Sequence, residues 1–231
     1  MSLSELFLTV IRHFAKGVSA LFFVMALAFH GPAQAQTTSS QIAPLTQDAD
    51  VITLEGFRSA EFGMDEDAVL AAIAVDFGIE NDAVEVGLNT VERTRVMTVI
   101  GADVLRDGGA AQISYIFGYE SKNLIQVGVL WSAATDPIIT EETLYSNGEI
   151  LKAFFGSAGY LPETIMQDVV LENGILLFRG SDQSGHTAIL LLQGEFQEID
   201  GANVLFPQSL TLLYAVDPDN PDILVIESGD F

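Results

Sequence analysis

Phe62-Gly63-Met64-Asp65-Glu66-Asp67-Ala68-Val69-Leu70-Ala71-Ala72-Ile73 is the stretch from which the fold is read, because it carries both the start signals and the apolar face of a helix. Asp65 is placed to accept hydrogen bonds from the free N–H groups of a first helical turn. Glu66 and Asp67 follow where the positive end of the helix dipole stabilises carboxylates. Val69, Ile73 and Phe77 recur every four residues with Leu70 beside them, and Gly78 supplies a C-terminal stop. The spacing predicts a helix over residues 66–77. Reading Asp65-Glu66-Asp67 as a metal site is the weaker alternative, since adjacent helical positions point in different directions.

Working outward, residues 51–57 alternate loosely and read as a first strand or extended lead-in. After a polar connection over 80–89, three β-rich stretches follow at 94–100, 111–119 and 124–131. In the middle one Ile113, Tyr115, Phe117 and Tyr119 share a side, and in the third Ile125, Val127, Val129 and Trp131 do. A sheet face covered by the first helix explains this stripe better than a ligand platform. Arg106-Asp107-Gly108-Gly109 and Ser121-Lys122-Asn123 are the turns between these strands.

Ala133-Ala134-Thr135-Asp136-Pro137 marks a boundary, and the same order then recurs. Thr140 caps a second helix with Glu141 and Glu142 in its first turn. Leu144, Leu151 and Phe155 line one face, Gly156 stops it, and Asn147-Gly148 weakens its middle. Three further extended stretches begin at Gly174, Thr187 and Leu210. Their offsets from the first set, 80, 76 and 86 residues, give a period of about 80, a repetition of pattern with little residue identity. The predicted fold class is α+β, two tandem αβββ units over 51–134 and 135–231, each a helix packed on an antiparallel sheet, the sheets joined or packed side by side.

The N-terminus has Arg12, His13 and Lys16, an apolar run over 18–29, and Ala33-Gln34-Ala35. That is the form of a signal peptide over residues 1–35, too short to span a bilayer, with cleavage expected after Ala35. The alternative is an uncleaved anchor. Residues 36–50 read as a flexible polar leader, and no later stretch is apolar enough to span. A periplasmic or secreted protein is expected.

The chain has 32 acidic and 9 basic residues; losing Glu5, Arg12 and Lys16 with the signal leaves 31 and 7, a net charge near −24. Such a charge opposes nucleic acid and anionic membrane surfaces, favours a basic-surfaced envelope partner or divalent cations, and keeps copies apart as monomers. An acidic surface without a specific partner is the plainer reading. There is no cysteine, which excludes disulfides, thiol chemistry, Cys-held zinc and iron–sulfur clusters.

His186 is the only imidazole outside the signal, in a polar turn, and is read as without a role. A glycosidase would need only two carboxylates, but nothing in the sequence singles out a pair. Asp217-Pro218-Asp219-Asn220-Pro221-Asp222 has the oxygen content of a Ca²⁺ loop, yet two prolines and the absence of EF-hand spacing favour a plain loop. Gly108-Gly109 does not fit a phosphate-binding loop. No catalytic residue and no cofactor is assigned, and metal ligands stay open.

Phe62-Gly63-Met64-Asp65-x-x-x-Val69, followed by hairpins with aromatic alternation, resembles the small exported domains typified by the outer-membrane-assembly lipoproteins and the β-lactamase inhibitory proteins. The likeness covers residues 57–131 at the level of pattern. It implies a Gly-x-(Ser/Thr/Asp) turn opening a helix that packs on an antiparallel sheet, in two tandem copies in the inhibitory proteins. The chain departs from the first group in lacking the anchoring Cys and from the second in lacking disulfides, so their activities do not transfer. The expected function is a non-enzymatic periplasmic binding or protein-interaction module; the alternative is a carboxylate-dependent hydrolase or divalent-cation-binding protein.

Overall fold

The computed structural model describes residues 51–102 and 104–225. The expected signal peptide and leader lie outside the described residues. A two-residue hairpin, β1 (Gly56–Phe57) and β2 (Ala60–Glu61), precedes helix α1 (Glu66–Phe77). Four strands follow, β3 (Glu85–Leu88), β4 (Arg95–Gly101), β5 (Ala111–Phe117) and β6 (Leu124–Ser132). Helix α2 (Glu141–Ser157) then leads into β7 (Met166–Leu171), β8 (Gly174–Ser181), β9 (Thr187–Ile199) and β10 (Ala202–Ala215).

These strands overturn the expectation of two tandem αβββ units, each a helix packed on an antiparallel sheet. β3 to β10 form one eight-stranded antiparallel sheet in the order β3-β4-β5-β6-β10-β9-β8-β7. The join is direct, since β6 and β10 pair over seven positions from Ser132↔Ser209 to Gln126↔Ala215. Each half also contributes four strands to the sheet. The fourth, β3 or β7, lies at a sheet edge, where no residue of either strand is buried. β3 falls inside the stretch read as a polar connection.

Both helices start as their sequences dictate. Asp65 accepts from the Ala68 N–H at 2.9 Å, and Gly78, at φ 65°, returns its own N–H to the Ala74 carbonyl. Thr140 accepts from the Thr143 N–H at 3.1 Å. α2 runs one residue past Gly156 and ends at the Ala158 cap. Asn147-Gly148 has a packing reason: Asn147, 3% exposed, donates to the Gly108 carbonyl at 2.8 Å, and a Cβ on Gly148 would lie 2.7 Å from Leu177 Cδ1. The pair lets α2 lie close against the sheet while tying it to the β4–β5 connection.

The main core occupies one face of the sheet. Val69 and Ile73 of α1, Leu144 and Phe155 of α2, and Phe57 and Ala60 of the hairpin pack there with Ile113, Tyr115, Val129 and Trp131. Full burial of each such aliphatic side chain is worth about 1.5–3 kcal/mol. A bulge between Ile116 and Phe117 shifts the register, so Leu124 takes the core place expected of Ile125. The opposite face carries uncharged polar side chains, among them Ser114, Gln126 and Thr211, and a small cluster of Leu176, Ile189 and Leu213. Among the described residues, no helix is long and apolar enough to cross a membrane.

Candidate functional site at the seam between the halves

The stretch read as a first strand is an extended strap crossing from the second half to the first. Val51 forms a parallel bridge with Gly159, and the Ile52 N–H donates to the Gly159 carbonyl at 3.2 Å. Leu54 is held at both backbone groups: its N–H donates to Asp182 Oδ2 at 2.9 Å, and its carbonyl faces His186 Nδ1 at 2.6 Å. Asp182, 1% exposed, also accepts from the Ser184 and His186 N–H groups through Oδ1. His186 packs edge-on against Phe62, ring centroids 5.1 Å apart.

Beyond the clamp the strap turns into the hairpin. Gly56, at φ 150°, is required there, because a Cβ would lie 2.0 Å from the Ala60 carbonyl oxygen. The chain then locks onto the start of β6, where Gly63 donates to Leu124 and Leu124 to Met64. Arg58 at the hairpin turn lies over Phe77 (4.7 Å to the centroid) and Phe57 (5.6 Å), donating to the carbonyls of Asp76 and Val104 near the end of α1.

Between the strap and the C-terminal part of α2 opens a groove of about 320 Å³, lined by residues 52–58 with Phe154, Phe155, Tyr160 and Tyr214. Both halves contribute, so its shape depends on the β6–β10 join. Its rings form one connected cluster: Phe155 lies 5.3 Å from Phe154, 6.3 Å from Tyr160 and 6.2 Å from Tyr214, and Tyr214 lies 6.1 Å from Phe57. Phe178 stacks beneath Phe155 at 5.4 Å. Phe154 is 60% exposed at the mouth, whereas Tyr160 is 4% exposed and its buried hydroxyl has no hydrogen-bond partner among the described residues. Burial, then the neighbouring Tyr214 phenol and the Asp182 carboxylate, push the Tyr160 hydroxyl pKa upward, so it stays protonated. Burial does the same to Tyr214.

The residues singled out in the sequence do not gather here, with one exception. Asp65 caps α1, and Glu66 pairs with Arg95 of β4 at 2.7 Å. The Asp217–Asp222 carboxylates diverge. Asp217 accepts from the Asn220 N–H, Asp219 pairs with Arg179 at 3.0 Å, and Asp222 accepts from the Glu120 and Ser121 N–H groups of the β5–β6 turn. Burial pushes the Asp222 carboxyl up, but the hydrogen bonds from Glu120 and Ser121, with the Lys122 charge, together hold it below the usual range. Among the described residues no group of three or more His, Asp or Glu is placed to hold a metal ion.

His186 is the exception, since it clamps the strap beside the groove and so has a structural role where the sequence suggested none. The strap, Phe154, Tyr160 and Tyr214 were invisible as a site. Exposed Phe154 offers the one local signal, an apolar residue beside, not on, the buried stripe of α2. Among the described residues the groove is lined by the strap and by the rings of Phe57, Phe154, Phe155, Tyr160 and Tyr214. Comparison with protein-family models, with curated proteins and with solved structures finds no match in any of the three.

Proposed function

We propose that the chain is an exported, non-enzymatic binding module, periplasmic or secreted, that receives a protein partner in the groove between the strap and α2. The observation that carries this reading is the connected set of rings around that groove, with Phe154 exposed at its mouth. The non-enzymatic part is supported by the engagement of His186 with Leu54, which leaves the expected mature chain no other imidazole.

Affinity capture from envelope extracts tests it, with the mature chain and its Phe154→Asp variant as parallel baits. A protein retained by the first and lost from the second is the expected result. Recovery of nothing above background, at low and at moderate salt, contradicts the reading. The strong net negative charge supports a monomer, and sedimentation at several salt concentrations checks this; a dimer at low salt without divalent cations would contradict it.

A further inference from the structure

We infer that the groove takes a basic side chain, the guanidinium or ammonium group of an Arg or Lys carried on an apolar segment of a partner protein. The inference rests on the binding reading above and names the chemistry of what binds.

Three observations converge on it. First, the walls are rich in aromatic rings. Phe57, Phe154, Phe155, Tyr160 and Tyr214 line the space, and the negative face of an aromatic ring attracts a cation, best where water is excluded. The molecule already uses this contact at the edge of the same cluster, where the Arg58 guanidinium lies over Phe77 and Phe57. Carbonyls of Asp76 and Val104 near the end of α1 hold that guanidinium there.

Second, the field favours cations. The chain carries a formal net charge of −23, so basic segments are drawn in and acidic ones repelled before any contact forms. Within the lining, Glu55 and Arg58 are the only charged residues, and their charges are opposite.

Third, the size fits one long side chain. About 320 Å³ lies at the small end of ligand sites, which run from about 300 to 1,000 Å³. It suits the stem and head of an Arg or Lys with one apolar neighbour.

Selection from a randomised heptapeptide library on the immobilised mature chain tests this, followed by titration of the enriched peptides. Each is compared with a version in which citrulline replaces Arg, and each is titrated also against Phe154→Ala. That variant keeps the net charge and puts a good helix former at an exposed position of α2. The expected pool holds Arg or Lys flanked by apolar residues. Its members should bind at least ten-fold more weakly to Phe154→Ala, lose about as much with citrulline, and weaken as salt rises.

A basic pool that binds wild type and Phe154→Ala equally would show attraction by net charge alone and overturn the inference, with the capture experiment left to judge the binding reading. A pool without basic residues that still depends on Phe154 would overturn the cation and leave the groove standing. No enrichment at all overturns the inference.

Discussion

The two helices sit on the same face of the same sheet in different ways. α1 is short and marked by its own sequence: its cap, its stop and its buried Val69, Ala72 and Ile73 all lie between residues 65 and 78. α2 depends on distant partners. Gly148 admits Leu177 of β8, Asn147 reaches Gly108 of the other half, and Tyr145 donates to the Leu205 carbonyl of β10 at 2.6 Å. The groove lies beside α2 and the strap. An element fixed by local signals is a floor, whereas elements fixed by long-range contacts form the seam where a site can open.

The largest effect should come from the clamp on the strap. Asp182→Ala would leave the Leu54, Ser184 and His186 N–H groups without their acceptor and is expected to cost about 3 kcal/mol, read by denaturant unfolding. If stability is unchanged, the strap is not held as described. Next is α2: Gly148→Val puts branched carbon against Leu177 and is expected to destabilise by about 2 kcal/mol, overpacking outweighing the gain in helix propensity. The corresponding change in the middle of α1, Ala71→Val at an exposed position, should cost under about 0.7 kcal/mol by propensity alone. Equal losses at the two sites would erase the contrast between the helices.

The same contrast explains what was legible. The α1 bounds, the Thr140 cap and the inward stripes of β5 and β6 follow from neighbours in sequence, and they stand in the structure nearly as read. The division into two αβββ units, each a helix packed on an antiparallel sheet, does not stand. The pairing that fuses the halves joins residues such as Leu130 and Thr211, and nothing in either strand announces its partner. β3 was lost because all four of its residues are exposed and the strand is too short for the alternation of Val86 and Leu88 to set it off from a loop. The groove was hidden for the first reason, since Leu54 meets His186 across 132 positions.

Two smaller effects sharpen the picture. His186→Ala removes one hydrogen bond to the strap and the contact with Phe62, and about 1–2 kcal/mol is expected, less than for Asp182→Ala; a larger loss would reverse the ranking of the clamp. At the β5–β6 turn, Asp222→Asn probes pH. Its carboxyl titrates below the unfolded value of about 3.9, so it stabilises the fold above that pH, and the contribution is lost as pH falls through the lower folded value. The stability difference between wild type and variant should be present at neutral pH and vanish under strong acid; a difference that grows on acidification would contradict the assignment.

The most direct test of the central claim, that the halves share one sheet through β6 and β10, uses the absence of native cysteine. Ser132→Cys and Ser209→Cys occupy paired positions, and antiparallel partners lie about 4.5–5.5 Å apart at Cα, within the range a disulfide spans. The double variant should oxidise to the intramolecular disulfide while folded, so that cleavage between residues 133 and 140 leaves the two fragments joined until reduction. A pair that oxidises only after unfolding, with fragments that separate without reductant, would contradict the single sheet and the groove built on its seam.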